Sequence, residues 1–593
     1  MLDQDRATRE ISVARGYTEL GLDQLAISEA ATSLSLDPAS TSAHRFLADT
    51  YSESNRHEIA RVSELLQAQL LQPLNITPVP PSAPFTDLKF LPNVDTSAWL
   101  SSDYSQLFEK DGVRLLASGL VGGLDTFSDE VSLSALTDKL SVSAGQYYYT
   151  TDGFRTNNDL TNFIYNVFAQ ASPNDLLSFQ AEYRQRHTEH GDIVLNFDPA
   201  EFGRQDRFEV DQDTARSGFR VSPSPQLRVL GSLIYSRLKE HQLGFAAGEP
   251  DVDIRGVAEG TSYELQGQYV QPRFNLIAGG GYAPVDETIS SKFGGVSCPL
   301  PSFCSTTDIQ QENAYLYANV ALPANLIATL GLGYDVFDDG SRDLRKWDPK
   351  VGLQWQPHRA LQLRATAFRT LKRSLVVEQT IEPTQIAGFS QFFDDFNGTI
   401  STTVGGAVDI WFTRSLQGSV EVLERDLTVG GESIELDSAT TTTQDQTENI
   451  LRTSLSWIPH RDLVVNLGYV IDDFDATPPI EGLPVMVRTE AVPVGVRLFL
   501  NSGVFAGALA TYVNQAVERE TDPRSTSRTE DFVTVDLDLG YLLPQRLGAI
   551  NIGVRNLFDQ EFSFQDDNYR TSTYRAPVYI PARSAFVKLS LVF

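Results

Sequence analysis

Histidine and carboxylate side chains that could do chemistry lie together around residue 190. His187 and His190 occur in RQRHTEHGD with Glu189 and Asp192. These residue types can ligate a metal ion or transfer protons. The simpler interpretation, which we favour, is the polar end of an exposed strand. No Ser/His/Asp-type set stands out elsewhere, so the sequence predicts no catalytic residue, no cofactor-binding residue and no enzyme.

Aspartate clusters form a second group of candidate ligands. Carboxylate oxygens suit Ca²⁺, which makes Asp338, Asp339, Asp472 and Asp473 weak calcium candidates in loops. No cluster follows the spacing of a calcium-binding loop, and a solvated, repulsive surface explains them as well. We therefore expect no metal and no cofactor, with Ca²⁺ in outer loops as the alternative. Similar clusters occur at Asp394, Asp395, Asp566 and Asp567.

The two cysteines, Cys298 and Cys304, stand six residues apart in CPLPSFC. A close pair in a loop predicts a disulfide formed in an oxidising compartment. Two reduced thiols are the alternative. Neither cysteine has a histidine nearby, so we do not expect zinc.

Composition narrows the class of protein. The chain has 593 residues, enough for two or more units, with 41% hydrophobic residues and a mean hydropathy of -0.20. It has no apolar run of about 20 residues, as a transmembrane helix needs. A β-barrel shows no such peak, because only alternate residues meet lipid. The net charge of -30 argues against nucleic acid as a partner.

The final residues, ARSAFVKLSLVF, alternate with a period of two. Val587, Leu589, Leu591 and Phe593 fall on one apolar face, and the other face is mixed. A strand that stays apolar to its last residue is typical of the closing strand of an outer-membrane barrel. The ending resembles the strand that the barrel-assembly machinery recognises, so lipid and that machinery are expected partners.

Alternating segments of roughly 10–15 residues, joined by tight turns, continue upstream. Each of ten tight turns joins two strands. Together with an opening strand near 112–121 and the closing strand, they predict about 22 strands in an antiparallel transmembrane β-barrel. Trp355 and Trp457 stand beside short turns, where an aromatic girdle belongs. The tight turns are at 137–138, 172–175, 223–226, 272–273, 323–325, 357–359, 414–415, 459–461, 501–502 and 544–546.

The segment IGVRNLFD at 552–559 resembles the penultimate strand of TonB-dependent receptors. That resemblance implies an outer-membrane transport barrel in a bacterial cell. It also implies a globular plug of about 130–150 residues and an energy-coupling box before the barrel. The 109 or so residues found there contain neither, which puts TonB-driven uptake in doubt.

The inward face of the barrel is expected to be mixed in charge. Arg364, Asp536, Asp538 and Arg555 are candidates for the lumen, where opposed charges set selectivity. An unobstructed barrel of this size would be a very wide hole, so something must fill it. The residues 77–110, inward loops or a partner protein are the alternatives.

Residues 8–72 show a self-similarity with a spacing of 34 and resemble tetratricopeptide repeats. We expect small helical repeats that pack through the repeated positions and bind a periplasmic protein. Two units are fewer than such repeats need, and no signal peptide is visible, which suggests missing upstream sequence. The packing positions are Ala14, Tyr17, Ala26, Pro38, Ala48, Tyr51 and Ala60.

The expected fold is mainly β, with helical repeats at 1–75, a proline-rich linker at 76–109 and a barrel at 110–593. The leading functional hypothesis is an outer-membrane transport barrel that passes or gates a solute or polymer, with the repeats in the periplasm. An exporter of polysaccharide, which joins such repeats to a barrel near 16 strands, is the first alternative. A non-conducting surface scaffold, whose acidic loops bind a partner or a neighbouring barrel within an outer-membrane complex, is the second. In each case outer-membrane lipid and lipopolysaccharide are expected partners.

Overall fold

The computed structural model describes most of the chain. The described residues are 23–52, 54–74, 80–83, 89–91, 111–244, 251–298, 304–435, 438–480, 483–519, 528–572 and 575–593. The repeat positions Ala14 and Tyr17 lie outside them, as does most of the linker.

In the described part of the chain, alternating polar and apolar residues form 25 strands, most of them long. The first eleven are β1 (Gly112–Gly122), β2 (Thr126–Leu136), β3 (Leu140–Thr151), β4 (Leu160–Asn174), β5 (Leu177–His190), β6 (Arg207–Ser224), β7 (Leu227–Gly244), β8 (Val252–Gln271), β9 (Phe274–Phe293), β10 (Val296–Ser297) and β11 (Cys304–Leu322). The next seven are β12 (Leu326–Asp338), β13 (Asp343–His358), β14 (Leu361–Leu371), β15 (Gln385–Ile386), β16 (Phe389–Ser390), β17 (Ile400–Trp411) and β18 (Leu416–Glu435). The last seven are β19 (Ser438–His460), β20 (Leu463–Thr477), β21 (Met486–Phe499), β22 (Val504–Glu518), β23 (Arg528–Leu542), β24 (Gly548–Arg555) and β25 (Ser584–Val592).

Twenty-two of these strands form one closed antiparallel barrel. The strands outside the count are the two-residue strands β10, β15 and β16. The barrel closes by pairing β1 with β25, from Leu116 opposite Val592 to Gly122 opposite Phe586. The predicted strand number is confirmed, and each of the ten predicted turns joins two barrel strands at one end, called here the short-turn end. The opposite, long-loop end carries the connections at 191–206, 372–399 and 556–583.

The two faces of each strand differ as the alternation predicts. On β25, Val587, Leu589 and Phe593 are exposed on the outside, whereas Phe586 is 2% exposed on the inside. Trp355 and Trp457 are exposed close to the short-turn end. The outer surface is thus an apolar band with aromatic residues at its edge, as a lipid-facing barrel requires.

Among the described residues, three helices precede the barrel: α1 (Asp23–Leu36), α2 (Thr41–Tyr51) and α3 (Glu58–Leu71). Ser40 caps α2, since its hydroxyl accepts the Ala43 N–H, and α3 packs back against α2. Among the described residues, no helix is long and apolar enough to cross a membrane.

These helices lie inside the barrel, which differs from the expectation of a separate periplasmic repeat domain. Residues 25–35 of α1 are all buried, yet Ser28, Thr32 and Ser35 are polar. A polar helix can be buried on all sides only where its surroundings supply hydrogen bonds, and the lumen wall does so. The expected alternative of inward loops is also found, because residues 372–399 and the described residues 556–572 and 575–583 fold into the lumen.

Candidate functional site: the closed lumen

Near the short-turn end, hydroxyl groups of α1 bond to the barrel wall. Ser28 Oγ donates to Asp409 Oδ2 at 2.9 Å, and Thr32 Oγ1 donates to Gln354 Oε1 at 3.0 Å. Asn275 Nδ2 donates to the backbone oxygen of Ser35 at 2.7 Å. These contacts join α1 to strands β9, β13 and β17.

The end of α3 is attached to the opposite wall. Gln180 Nε2 donates to the backbone oxygen of Gln69 at 3.0 Å, and Gln170 Nε2 donates to that of Gln72 at 3.1 Å. Arg220 donates to the backbone oxygen of Leu71. The carbonyl oxygens at the end of α3 therefore find hydrogen-bond donors in the wall, which replace the water they would otherwise need.

The turn between α2 and α3 points toward the long-loop end and carries Arg56 in a left-handed conformation, with φ of 59°. Arg56 Nη2 lies 2.6 Å from Asp395 Oδ1, and Nη1 lies 2.5 Å from Glu448 Oε1. Arg425 binds the same two carboxylates, at 2.5 Å each. Each of the four side chains is no more than 7% exposed, so helix turn, inward loop and barrel wall meet in one buried ion-pair cluster.

A fourth part of the chain joins this cluster. Arg570, in the 556–583 loop, lies 3.4 Å from Glu448 Oε1, 2.7 Å from Asp472 Oδ2 and 2.7 Å from Asp567 Oδ1. Arg575 of the same loop pairs with Asp394. We call Arg56, Asp394, Asp395, Arg425, Glu448 and Arg570 the latch.

Buried charges are costly unless each has partners. In the latch every carboxylate contacts at least one guanidinium, and Phe393 lies 3.6 Å below the Arg425 guanidinium. Removal of one member would leave the opposite charge buried without full compensation, which strongly destabilises the folded arrangement. The arrangement can therefore hold the lumen closed or release it as a unit.

Apolar side chains of the 191–206 and 556–583 loops close the long-loop end above the latch. Phe562 stacks on Phe532 of β23 with ring centroids 3.9 Å apart, and Leu195 belongs to the same buried cluster. Asp566 accepts hydrogen bonds from Leu195 N at 2.6 Å and Asn568 N at 3.0 Å. Burial raises the pKa of Asp566 to about 7, against the effect of these hydrogen bonds.

Comparison with protein families gives one match to this architecture. The family described as TonB dependent receptor-like, beta-barrel matches residues 118–450, which is more than half of the chain. This chain belongs to the TonB-dependent receptor-like β-barrel family. A comparison with curated proteins finds no match.

Solved structures of TonB-dependent receptor-like barrels share the fold at low identity. The copper transporter OprC is 14% identical with a TM-score of 0.63, over 82% of this chain and 80% of that one. The FrpB iron transporter from Neisseria meningitidis is 12% identical with a TM-score of 0.61, over 83% of each chain. The ferric citrate transporter FecA is 12% identical with a TM-score of 0.58, over 82% and 79%. The family places this barrel in a bacterial outer membrane.

The lumen candidates of this TonB-dependent receptor-like barrel all face inward. Arg364 is fully buried, with Nε 3.0 Å from Asp409 Oδ2. Arg555 Nη1 lies 3.2 Å from Asp536 Oδ2, and Asp538 lies on the same face of β23. The sequence could not pair Arg364 with Asp409, because it did not show which strands are neighbours.

Arginines occupy two of the weak calcium candidates. Asp339 receives Arg342 Nη2 at 2.6 Å; burial raises the pKa of Asp339, but the Arg342 and Ser341 hydrogen bonds hold it below its usual value. Asp472 is bound by Arg570. Asp338 accepts the Gly340 N–H. Asp473, the fourth candidate, is on β20 near its outer end, and the acidic pairs at 394–395 and 566–567 serve the latch and the outer closure.

Cys298 and Cys304 form a disulfide between β10 and β11, with Cα atoms 5.5 Å apart.

Of the described repeat positions, Ala26, Tyr51 and Ala60 lie in one buried cluster of the helices. Ala48 is buried in α2, and Pro38 is buried in the turn before it. Sequence reasoning grouped Asp394 with the acidic clusters without its partners, and it missed Arg56 and Glu448, for which the only available signal was charge inside a helical turn and a predicted strand.

Proposed function

We propose that this protein is a gated outer-membrane transport barrel whose own N-terminal helices close the lumen. The observation that carries the proposal is the latch, because it ties the turn of the helical hairpin to the barrel wall and to two loops from the outer side. A solute that displaces the loops would weaken the same ion pairs that hold the hairpin. Loop opening and hairpin release are therefore coupled.

The helices retain their resemblance to tetratricopeptide repeats, which bind proteins. We propose that a periplasmic protein acts on the N-terminal segment and draws the hairpin out of the lumen. Release of the hairpin from the lumen would require breaking the Ser28–Asp409 and Thr32–Gln354 contacts in addition to the latch. A force or a binding partner from the periplasm could supply that work, and no covalent chemistry is needed.

The test is single-channel conductance of the full chain in a planar bilayer. Wild type should show rare, brief openings, whereas Arg56→Ala together with Asp394→Ala should show frequent large ones. Arg345→Ala is the matched control, because Arg345 pairs with Asp343 at an exposed outer strand end. Equal conductance of the double variant and the control would overturn gating by the latch.

A non-conducting scaffold is the second candidate, favoured by the aromatic closure of the long-loop end. It predicts no conductance from any of these variants. A polysaccharide exporter is less well supported, because the closed barrel has 22 strands and not about 16.

A further inference from the structure

The geometry points to a transition-metal site of the zinc class on the outward face of strands β5–β7, above the membrane. We propose that His187, Glu209 and Asp211 bind a divalent ion there. One ligand atom from each lies within 4.8 Å of the others. This proposal is independent of the transport function, since the site is outside the lumen.

The strand register brings these side chains together. His187 of β5 lies directly opposite Asp211 of β6, and Glu189 lies opposite Glu209. Glu209 is in turn opposite His241 of β7. Directly opposed residues share a face and stand about 5 Å apart, so the ligands are fixed by the β-ladder rather than by a loop.

The cluster lies beyond the lipid-facing band. Tyr183 is 50% exposed and is the last aromatic residue of that band on β5. His187 is four residues further toward the long-loop end, about 13 Å along the strand. The site therefore faces the polar layer outside the hydrocarbon core, where dissolved ions have access.

The charges around His187 are arranged unfavourably without a cation. Glu189 and Glu209 are like charges in directly opposed positions, an arrangement that destabilises a sheet. His187 contacts two carboxylates, with Nδ1 2.7 Å from Asp211 Oδ1 and Nε2 3.1 Å from Glu189 Oε1. Lys239 is opposite Asp211 and supplies one positive charge against three carboxylates. A divalent ion would balance the remainder.

The ligand types select the class of metal. An imidazole nitrogen with carboxylate oxygens suits Zn²⁺, Cu²⁺ and Ni²⁺, whereas Ca²⁺ takes six to eight oxygen ligands. Zinc distances of about 2.0–2.2 Å in a tetrahedral site place the ligand atoms about 3.4 Å apart. Asp211 Oδ1, 2.7 Å from His187 Nδ1, would therefore move away from the imidazole, and Glu209 would move toward it. The long Glu209 side chain, 45% exposed, can supply that movement. His241 Nδ1 lies 3.7 Å from Glu209 Oε2 and orients it.

Zinc binding by the full, tag-free chain in detergent tests this site. After EDTA treatment, calorimetric titration with Zn²⁺ should show one site that His187→Ala weakens at least about 10-fold, the scale on which lost metal-site contacts act. His241→Ala should weaken it less. His358→Ala is the control, because His358 is exposed in a short turn at the other end of the barrel. Heat-dependent mobility on gels verifies that each variant is folded.

Two results would overturn the proposal. One is equal Zn²⁺ affinity of wild type and His187→Ala, which would mean that His187 forms only ion pairs. The other is displacement of Zn²⁺ by equimolar Ca²⁺, which would mean a nonspecific acidic surface. Bound Cu²⁺ gives a further readout, since its electron paramagnetic resonance spectrum should show nitrogen coupling that is lost in His187→Ala.

Discussion

The carboxylate of Asp394 caps helix α3 by accepting the backbone N–H of Ile59 at 2.9 Å, across 335 residues of sequence. It also accepts the Glu58 N–H at 3.0 Å. His57, the residue at the start of the helix, makes no cap bond with its own side chain. A barrel loop therefore supplies the N-terminal cap of α3, so the loop and the hairpin stabilise each other.

Asp394→Ala should loosen the hairpin without unfolding the barrel. Loss of an N-terminal cap costs about 1–2 kcal/mol, and Arg575 loses its partner in the same change. Hydrogen exchange of the first turn of α3 should become about 5–30-fold faster. Asp338→Ala, at the outer end of β12 and far from α3, should leave those amides unchanged. Unchanged exchange in Asp394→Ala would show that the cap is dispensable.

Arg56→Ala should weaken the latch more strongly. It leaves Glu448 and Asp395 buried with one cation fewer, a change that costs about 3 kcal/mol when a buried pair is broken. Arg56→Lys should restore only part of this, because an ammonium group cannot form the two-carboxylate contact of a guanidinium. Hydrogen exchange over α2 and α3 should be slowest in wild type, faster in Arg56→Lys and fastest in Arg56→Ala. Equal rates for the three proteins would contradict the role of Arg56.

Closure of the outer loops should depend on pH through Asp566. Burial raises the pKa of Asp566 to about 7, and Asp567 adds to the shift. A carboxyl group with a raised pKa is protonated more readily in the closed state than in the open state. Closure therefore gains stability as the pH falls from about 7 toward the usual value near 4, and is least stable above 7.

Proteolysis of the 191–206 loop between pH 5 and 8 measures this dependence. Cleavage should increase with pH in wild type after correction for protease activity. Asp566→Asn should be protected at every pH, because a neutral amide can accept the same Leu195 hydrogen bond. A persistent pH dependence in the variant would assign the effect to another group.

A charge on the lipid face of the closing strand should impair membrane insertion. Leu589 is 40% exposed on the outside of β25, and arginine there costs about 2–4 kcal/mol near the bilayer midplane. Leu589→Arg should lower the folded fraction in gel mobility assays with lipid vesicles. Asp138→Arg, in a short turn, should fold normally. Normal folding of Leu589→Arg would place this face away from lipid.

The barrel could be predicted from the sequence because each strand carries its own evidence. In Val533–Tyr541 and in the final strand, alternation alone separates the lipid face from the lumen face, and tight turns mark the strand ends. The contents of the lumen could not be predicted in this way. Arg56 and Glu448 are 392 residues apart, and their contact depends on the three-dimensional placement of a helix that local pattern does not reveal.

The position of α1 did leave a signal in the sequence that we interpreted differently. Ser28, Thr32 and Ser35 place small hydroxyl groups on one face where a solvated helix usually carries charges. Such a face fits a polar wall at close range, and here it meets Asp409, Gln354 and Asn275. The repeat pattern favoured a separate domain because it describes how helices pack on each other, which the Ala26, Tyr51 and Ala60 cluster does satisfy.

Conductance of a cross-linked chain tests most directly whether the hairpin closes the lumen. Thr32→Cys and Gln354→Cys, added to the Arg56→Ala and Asp394→Ala variant, place two thiols at a helix–wall contact for a short reversible cross-linker. Large openings should disappear on cross-linking and return when the cross-link is cleaved. Openings that persist with the hairpin cross-linked to the wall would contradict closure of the lumen by the hairpin.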